Sequence, residues 1–179
     1  MGQNDSDDMP KTDHDHRTLE LLELMKSASG ESDRGLVITA AAHAEIYLER
    51  ILRAFLIDDS GVDELFEGPF APFGSLSGKI KVAYFLGLLT REERSQLDAT
   101  RKVRNVFAHE LNASFDHKDV KKLCAKPPIF DGDLCDRDAF LHMAMNVTVH
   151  IMYRDIGVAR RLKRSPLAPS EREKLDRPS

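Results

Sequence analysis

Apolar residues return along most of this chain at intervals of three and four, the spacing of a helix face, and nowhere does an alternating strand pattern flank a hairpin turn. Residues 19–25, LELLELM, read as a short amphipathic helix that stops before Ser29 and Gly30. After the break GESD, the longest apolar segment spans about residues 34–57. Its Ala40, Ala41, Ala42 and Ala44 permit close helix approach, and Ile46, Leu48, Ile51, Leu52, Phe55 and Leu56 make it apolar over a wide arc, the pattern of a central helix. Its charges Glu45, Glu49, Arg50 and Arg53 lie to one side, with Glu49 and Arg53 at ion-pair spacing. Ser75 opens a further helix that ends near Gly87. Thr90 and Glu93 then form a capping box, in which hydroxyl and carboxylate satisfy orphaned N–H groups at a helix start. The helix they open carries Leu97, Val103, Val106, Phe107 and Leu111 as its core stripe. Residues 116–122 make a short helix. A last long one starts near Asp136, with Met143, Val147, Ile151, Met152 and Ile156 inward.

The predicted fold is an all-α bundle of about four principal helices with short accessory ones, a single domain over residues 18–164. An acidic, disordered tail precedes it (1–17), and a mobile one rich in Pro, Ser and charge follows (165–179). The connection over residues 58–75 has too many Pro and Gly for a long helix, although VDELF suits one turn. Its Phe66, Phe70 and Phe73 are too many for a solvated linker, so at least one should be buried.

At 179 residues, 41% hydrophobic and 31% charged, the chain is long enough to bury a core without a metal or disulfides. Its net charge of -4 argues against a nucleic-acid binder over the whole surface. The basic run Arg160, Arg161, Lys163 and Arg164 suits an ordinary helix end, where cations favour the macrodipole. Cys124 and Cys135 have neither CxxC spacing nor a disulfide framework, so both are expected as reduced thiols. No signal peptide is apparent and no apolar run of about 18 residues occurs, so the expectation is a cytoplasmic protein without a membrane partner. His14 and His16 fall in the N-terminal tail. His142 and His150 lie about 12 Å apart on one helix and cannot share a zinc ion. No phosphate loop, HExxH or GxSxG is present, and neither metal nor cofactor is expected.

The compact polar group lies on the capped helix. Arg101, Asn105 and His109 follow at i, i+4 and i+8, about 12 Å along one flank, with Arg104 beside them. Arginine forks, an amide and an imidazole can together bind and polarise a phosphate, as an RNase-type reaction needs. The alternative is structural: Asn105 and His109 hydrogen-bond neighbouring helices, and the arginines pair with carboxylates such as Glu45 or Glu49. That alternative predicts a buried His109. Arg104 and His109 stand about 140° apart around an ideal helix, so a catalytic role for both calls for a two-fold partner. A helix-turn-helix over Ile80 to Phe107 is disfavoured, because Glu92 and Glu93 would face DNA phosphates.

The hexad Arg104-Asn105-Val106-Phe107-Ala108-His109 resembles the motif of the HEPN superfamily, all-α bundles that include RNA-cleaving toxins and non-catalytic relatives. Together with Ala44 to Glu49, Gly68-Pro69, Lys79-Ile80, Ala83-Tyr84 and Gly87-Leu88, it resembles the mannitol operon repressor family over roughly residues 20 to 155. The second resemblance implies a helical transcriptional regulator that acts as a corepressor-like module on a partner protein, a transcription factor, without reading DNA itself. The first implies a metal-independent ribonuclease with Arg104 and His109 catalytic and Asn105 supporting. It ranks second, because Glu110 and Leu111 stand where the toxins commonly carry glycine and tyrosine, and a carboxylate there repels phosphate. The wide apolar arc and the alanine patch of the central helix further predict a homodimer.

Overall fold

The computed structural model describes residues 19–20, 22–23, 26, 30–124 and 137–161. The expected tails, His14, His16, Cys135 and the loop before the last helix lie outside them, as do the side chains of Ile156, Arg160 and Arg161. Among the described residues the chain is all-α, without a strand. The elements are α1 (Asp33–Phe55), a 3-10 helix (Ser60–Leu65), α2 (Leu76–Phe85), α3 (Arg91–His109), α4 (Lys118–Cys124) and α5 (Arg137–Arg161). Gly30, expected past the end of the first short helix, is itself helical.

Side-chain caps set the starts. Ser32 accepts from the Gly35 amide, Ser75 from the Gly78 amide and Thr90 from the Glu93 amide, with the Glu93 carboxylate returning to the Thr90 N–H. α2 ends in a Schellman turn: the Gly87 N–H donates to the Tyr84 carbonyl and the Leu88 N–H to the Ala83 carbonyl, with Gly87 at φ 75°. That left-handed residue turns the chain sharply, so Leu88 and Leu89 enter the core and the Thr90 cap follows at once.

α1 runs through the middle and packs against α2, α3 and α5. Its first half joins the second half of α3, α4 and the start of α5 around Leu36, Val103, Phe107, Val120 and Phe140. Its second half joins α2, the start of α3 and the middle of α5 around Leu48, Ile51, Ile80, Leu97 and Ile151. Ala40, Ala41 and Ala44 are buried in these two clusters, so the alanine patch serves contacts inside the bundle. In the long connection Phe66 is buried and meets Phe73 edge-on at 5.6 Å, while Phe70 stays 95% exposed.

Two expectations are corrected. Leu111 lies past the end of α3 and is 94% exposed, because the helix stops at His109 and the chain turns outward. Cys124 is disulfide-bonded rather than a reduced thiol; its position at the end of α4 gave no hint of this in the spacing.

Candidate functional site

Along α3 the buried side is made by Glu93, Gln96, Leu97, Thr100, Val103 and Phe107. Residues offset from that side by a quarter to half a turn form the flank carrying Arg101, Asn105 and His109, as the spacing predicted. Arg101 and Asn105 are half-buried and His109 is exposed. Arg101 bonds Asp98 one turn back, at 3.4 and 3.3 Å. Arg104 sits half-buried on a different side of the helix. Among the described residues no ion pair joins Arg101 or Arg104 to Glu45 or Glu49, and no side-chain hydrogen bond is made by Asn105 or His109. The expected burial of His109 is therefore corrected. It is the last residue of the helix and stands about 160° around it from Phe107, away from the buried stripe.

The carboxylates expected for those arginines are taken by Lys79. Lys79 is only 5% exposed, and its ammonium lies 3.0 Å from Glu45 and 2.9 Å from Glu49. Glu49 also bonds Arg53 at 2.9 Å, and Arg53 reaches Asp63 at 2.6 Å while stacking 4.3 Å over the Phe66 ring. This chain of charges ties α1 to α2 and to the 3-10 helix. Burial pushes the Glu49 carboxyl up, but the hydrogen bonds from Lys79 and Arg53 outweigh it and hold it below the ordinary range. Burial likewise pulls Lys79 down, and the two carboxylates together raise it above the ordinary lysine value.

A second charged pair joins α3 to α5. Glu93 is 5% exposed and receives both guanidinium nitrogens of Arg154 at 2.7 Å, besides the Thr90 N–H at 2.8 Å. Arg154 donates further to the Leu88 carbonyl at 2.8 Å, and His150 Nδ1 stands 3.7 Å from Glu93. Desolvation acts to raise the Glu93 carboxyl, yet Arg154 and the Thr90 amide hold it below its ordinary value. Beside this pair opens a groove of about 580 Å³ between α5 and the α2–α3 turn, lined by Gly87, Leu88, His150, Tyr153, Arg154, Gly157 and Val158.

Arg34 closes the far end of α3. Its guanidinium donates to the carbonyls of Phe107, Glu110 (2.8 Å) and Leu111 (3.1 Å). The backbone next to His109 is fixed this way while the imidazole stays in solvent. Sequence reasoning passed over Arg34, and over Arg154 with its partner role for Glu93.

No family model matches the chain, and no curated protein matches it. The fold is another matter. It matches a chain of the solved structure of the MtlR-HPr complex from Escherichia coli, with a TM-score of 0.56 and 21% sequence identity, over 72% of this chain and 95% of that one. This is a likeness of fold. No described helix is long and apolar enough to cross a membrane, and the described residues hold no cluster of three or more metal-ligating side chains.

Proposed function

We propose that the protein is a transcriptional regulator of the mannitol-repressor type, a helical module that binds a partner protein in the cytoplasm and neither reads DNA nor catalyses a reaction. The observation that carries this reading is the likeness to a chain of the MtlR-HPr complex, an assembly of two different proteins. The start of α3 agrees with it: Glu93 is turned inward onto Arg154, and Arg94 lies over the Tyr84 ring, which leaves Arg91 and Glu92 as the exposed pair at that end. A reader of the major groove needs more free donors there. The test is a calorimetric titration of the purified protein with HPr, alongside a duplex from the protein's own upstream region. The expected result is saturable binding of HPr, with a constant on the order of tens of micromolar or tighter, and no shift of the duplex. Tight, sequence-selective binding of the duplex by this protein alone overturns the reading. Self-association belongs to the same proposal: Ile38 (40% exposed), Ala42 and Ile46 (47% exposed) form an open stripe on α1 that a second copy would cover, and light scattering should give a dimer mass.

One observation favours a second reading. His109 is solvent-exposed, and it shares with Arg104 and Asn105 the lack of side-chain partners among the described residues, as catalytic groups awaiting an RNA phosphate would. A metal-independent ribonuclease activity that disappears in a stable His109→Ala variant would establish it and displace the first.

A further inference from the structure

We propose that the tip of the α2–α3 hairpin, built on Phe85 with Lys81, Arg91 and Arg94, docks an acidic segment of a partner protein that presents a large apolar side chain. The proposal rests on the reading of the protein as a partner-binding module and supplies the chemistry of the partner. In a chain of net charge -4, the cations Lys79, Arg53 and Arg154 are held by carboxylates, whereas the half-buried Arg94, like Arg104, is not. Lys81, Arg91 and Arg94 form no ion pair among the described residues. They stand near the two helix ends joined at Gly87. Lys81 stands one turn before Phe85 on α2, Arg91 stands one turn before Arg94 on α3, and the Arg94 guanidinium lies 4.4 Å over the Tyr84 ring and 5.7 Å from the Phe85 ring.

Phe85 itself is 78% exposed and its neighbour Leu86 38% exposed. The fold does not require them there, because α2 is anchored by Leu76, Ile80 and Ala83 and is stopped by Gly87. Gly87, the residue after Leu86, borders the groove that Leu88 and Val158 help to line. Gly157, inside α5, borders that groove, and a Cβ placed on it would meet nothing within 4 Å. A glycine inside a helix weakens it, and among the described residues no close packing accounts for it. Space, exposed apolar surface and uncompensated positive charge thus adjoin one another. Arginine and aromatic side chains are the types that dominate the energy of protein interfaces, and carboxylates of the partner would meet Lys81, Arg91 and Arg94. A nucleic acid fits less well, because Arg94 already covers the Tyr84 face on which a base would stack.

The experiment is an anisotropy titration of the full chain with a fluorescein-labelled peptide of alternating glutamate and phenylalanine. The same peptide with lysine for glutamate and a labelled single-stranded RNA serve as comparison probes. The acidic peptide should bind saturably and the lysine peptide should not. Arg91→Glu with Arg94→Glu, and separately Phe85→Ser, should each weaken the acidic peptide about tenfold or more while leaving the melting curve in place. Lys81→Glu, at an exposed position, supplies a further variant should the double one unfold. No saturable binding of the acidic peptide, equal binding by folded variants, or RNA binding that the same variants abolish would overturn the proposal. HPr titrated in parallel separates the two readings. A protein that binds HPr but not the acidic peptide loses this surface and keeps its function as a partner-binding module; one that binds the peptide but not HPr keeps the surface.

Discussion

Lys79 and His109 are both polar residues of the quoted motifs, yet their environments lead to opposite expectations on mutation. Lys79 is 5% exposed and sits between two carboxylates whose side chains are 30% and 29% exposed. Replacing it by methionine keeps most of the packing and leaves Glu45 and Glu49 facing each other without a cation. A loss of about 1 to 3 kcal/mol is expected, read from the urea midpoint, and Glu45→Gln in the same chain should recover part of it. His109 is solvent-exposed, with no side-chain partner among the described residues. His109→Ala should therefore change stability by no more than about 0.5 kcal/mol, where a buried imidazole would have cost several times that. An unfolding curve showing a larger loss would restore the structural role that the sequence suggested.

At the scale of elements, each helix end has an identifiable stop or start, and the C-terminus of α3 depends on a residue 73 positions away in the chain, Arg34 on the Phe107 carbonyl. Because that guanidinium also holds Glu110 and Leu111, Arg34→Ala should cost about 1 to 2 kcal/mol and speed amide exchange in the last turn of α3. The capped start at Thr90 should keep its protection. Unchanged exchange at residues 106–111 would mean that the clamp contributes nothing. The helices were legible from the period of apolar residues, and the capping box from the hydroxyl and carboxylate three residues apart, because both signals are local. The partners of the charges were not. Lys79 falls on the α2 face that carries Leu76, Ile80 and Ala83, and Arg154 on the α5 face that carries Val147, Ile151 and Val158; a charge on an apolar stripe demands a counter-charge from another helix. That demand was visible in the spacing, but which carboxylate answers it depends on how the helices cross. His109 shows the converse: two residues past Phe107 it stands about 160° around the helix from that buried ring, so its exposure follows from its angular position as well as from α3 ending there.

For the whole molecule, the charges that tie the helices together make stability a function of pH whose sign can be worked out group by group. Glu93 and Glu49 are held below the ordinary carboxylate value in the folded protein. Between the folded and unfolded values the unfolded chain binds more protons, so their stabilisation is complete above about pH 4.5 and is lost as pH falls through the folded values. His43 is also lowered, by burial first and by Arg50, with Glu20 opposing. Its unfolded imidazole takes up a proton near 6.5 that the folded one resists, so stability starts to fall already below about pH 6.5. Lys79 is raised, and its contribution is complete below about pH 10.5 and is lost as pH rises through the folded value. The melting temperature should therefore hold a plateau from about neutrality to about pH 10, decline gently below 6.5 and fall steeply at acid pH. Glu93→Gln should lower the plateau, because Arg154 loses its charged partner, and should flatten the steep acid limb while sparing the gentle decline. His43→Gln should remove the gentle decline and leave the acid limb in place. A Glu93→Gln profile parallel to wild type at every pH would show that the Glu93–Arg154 pair between α3 and α5 contributes no proton-linked stability.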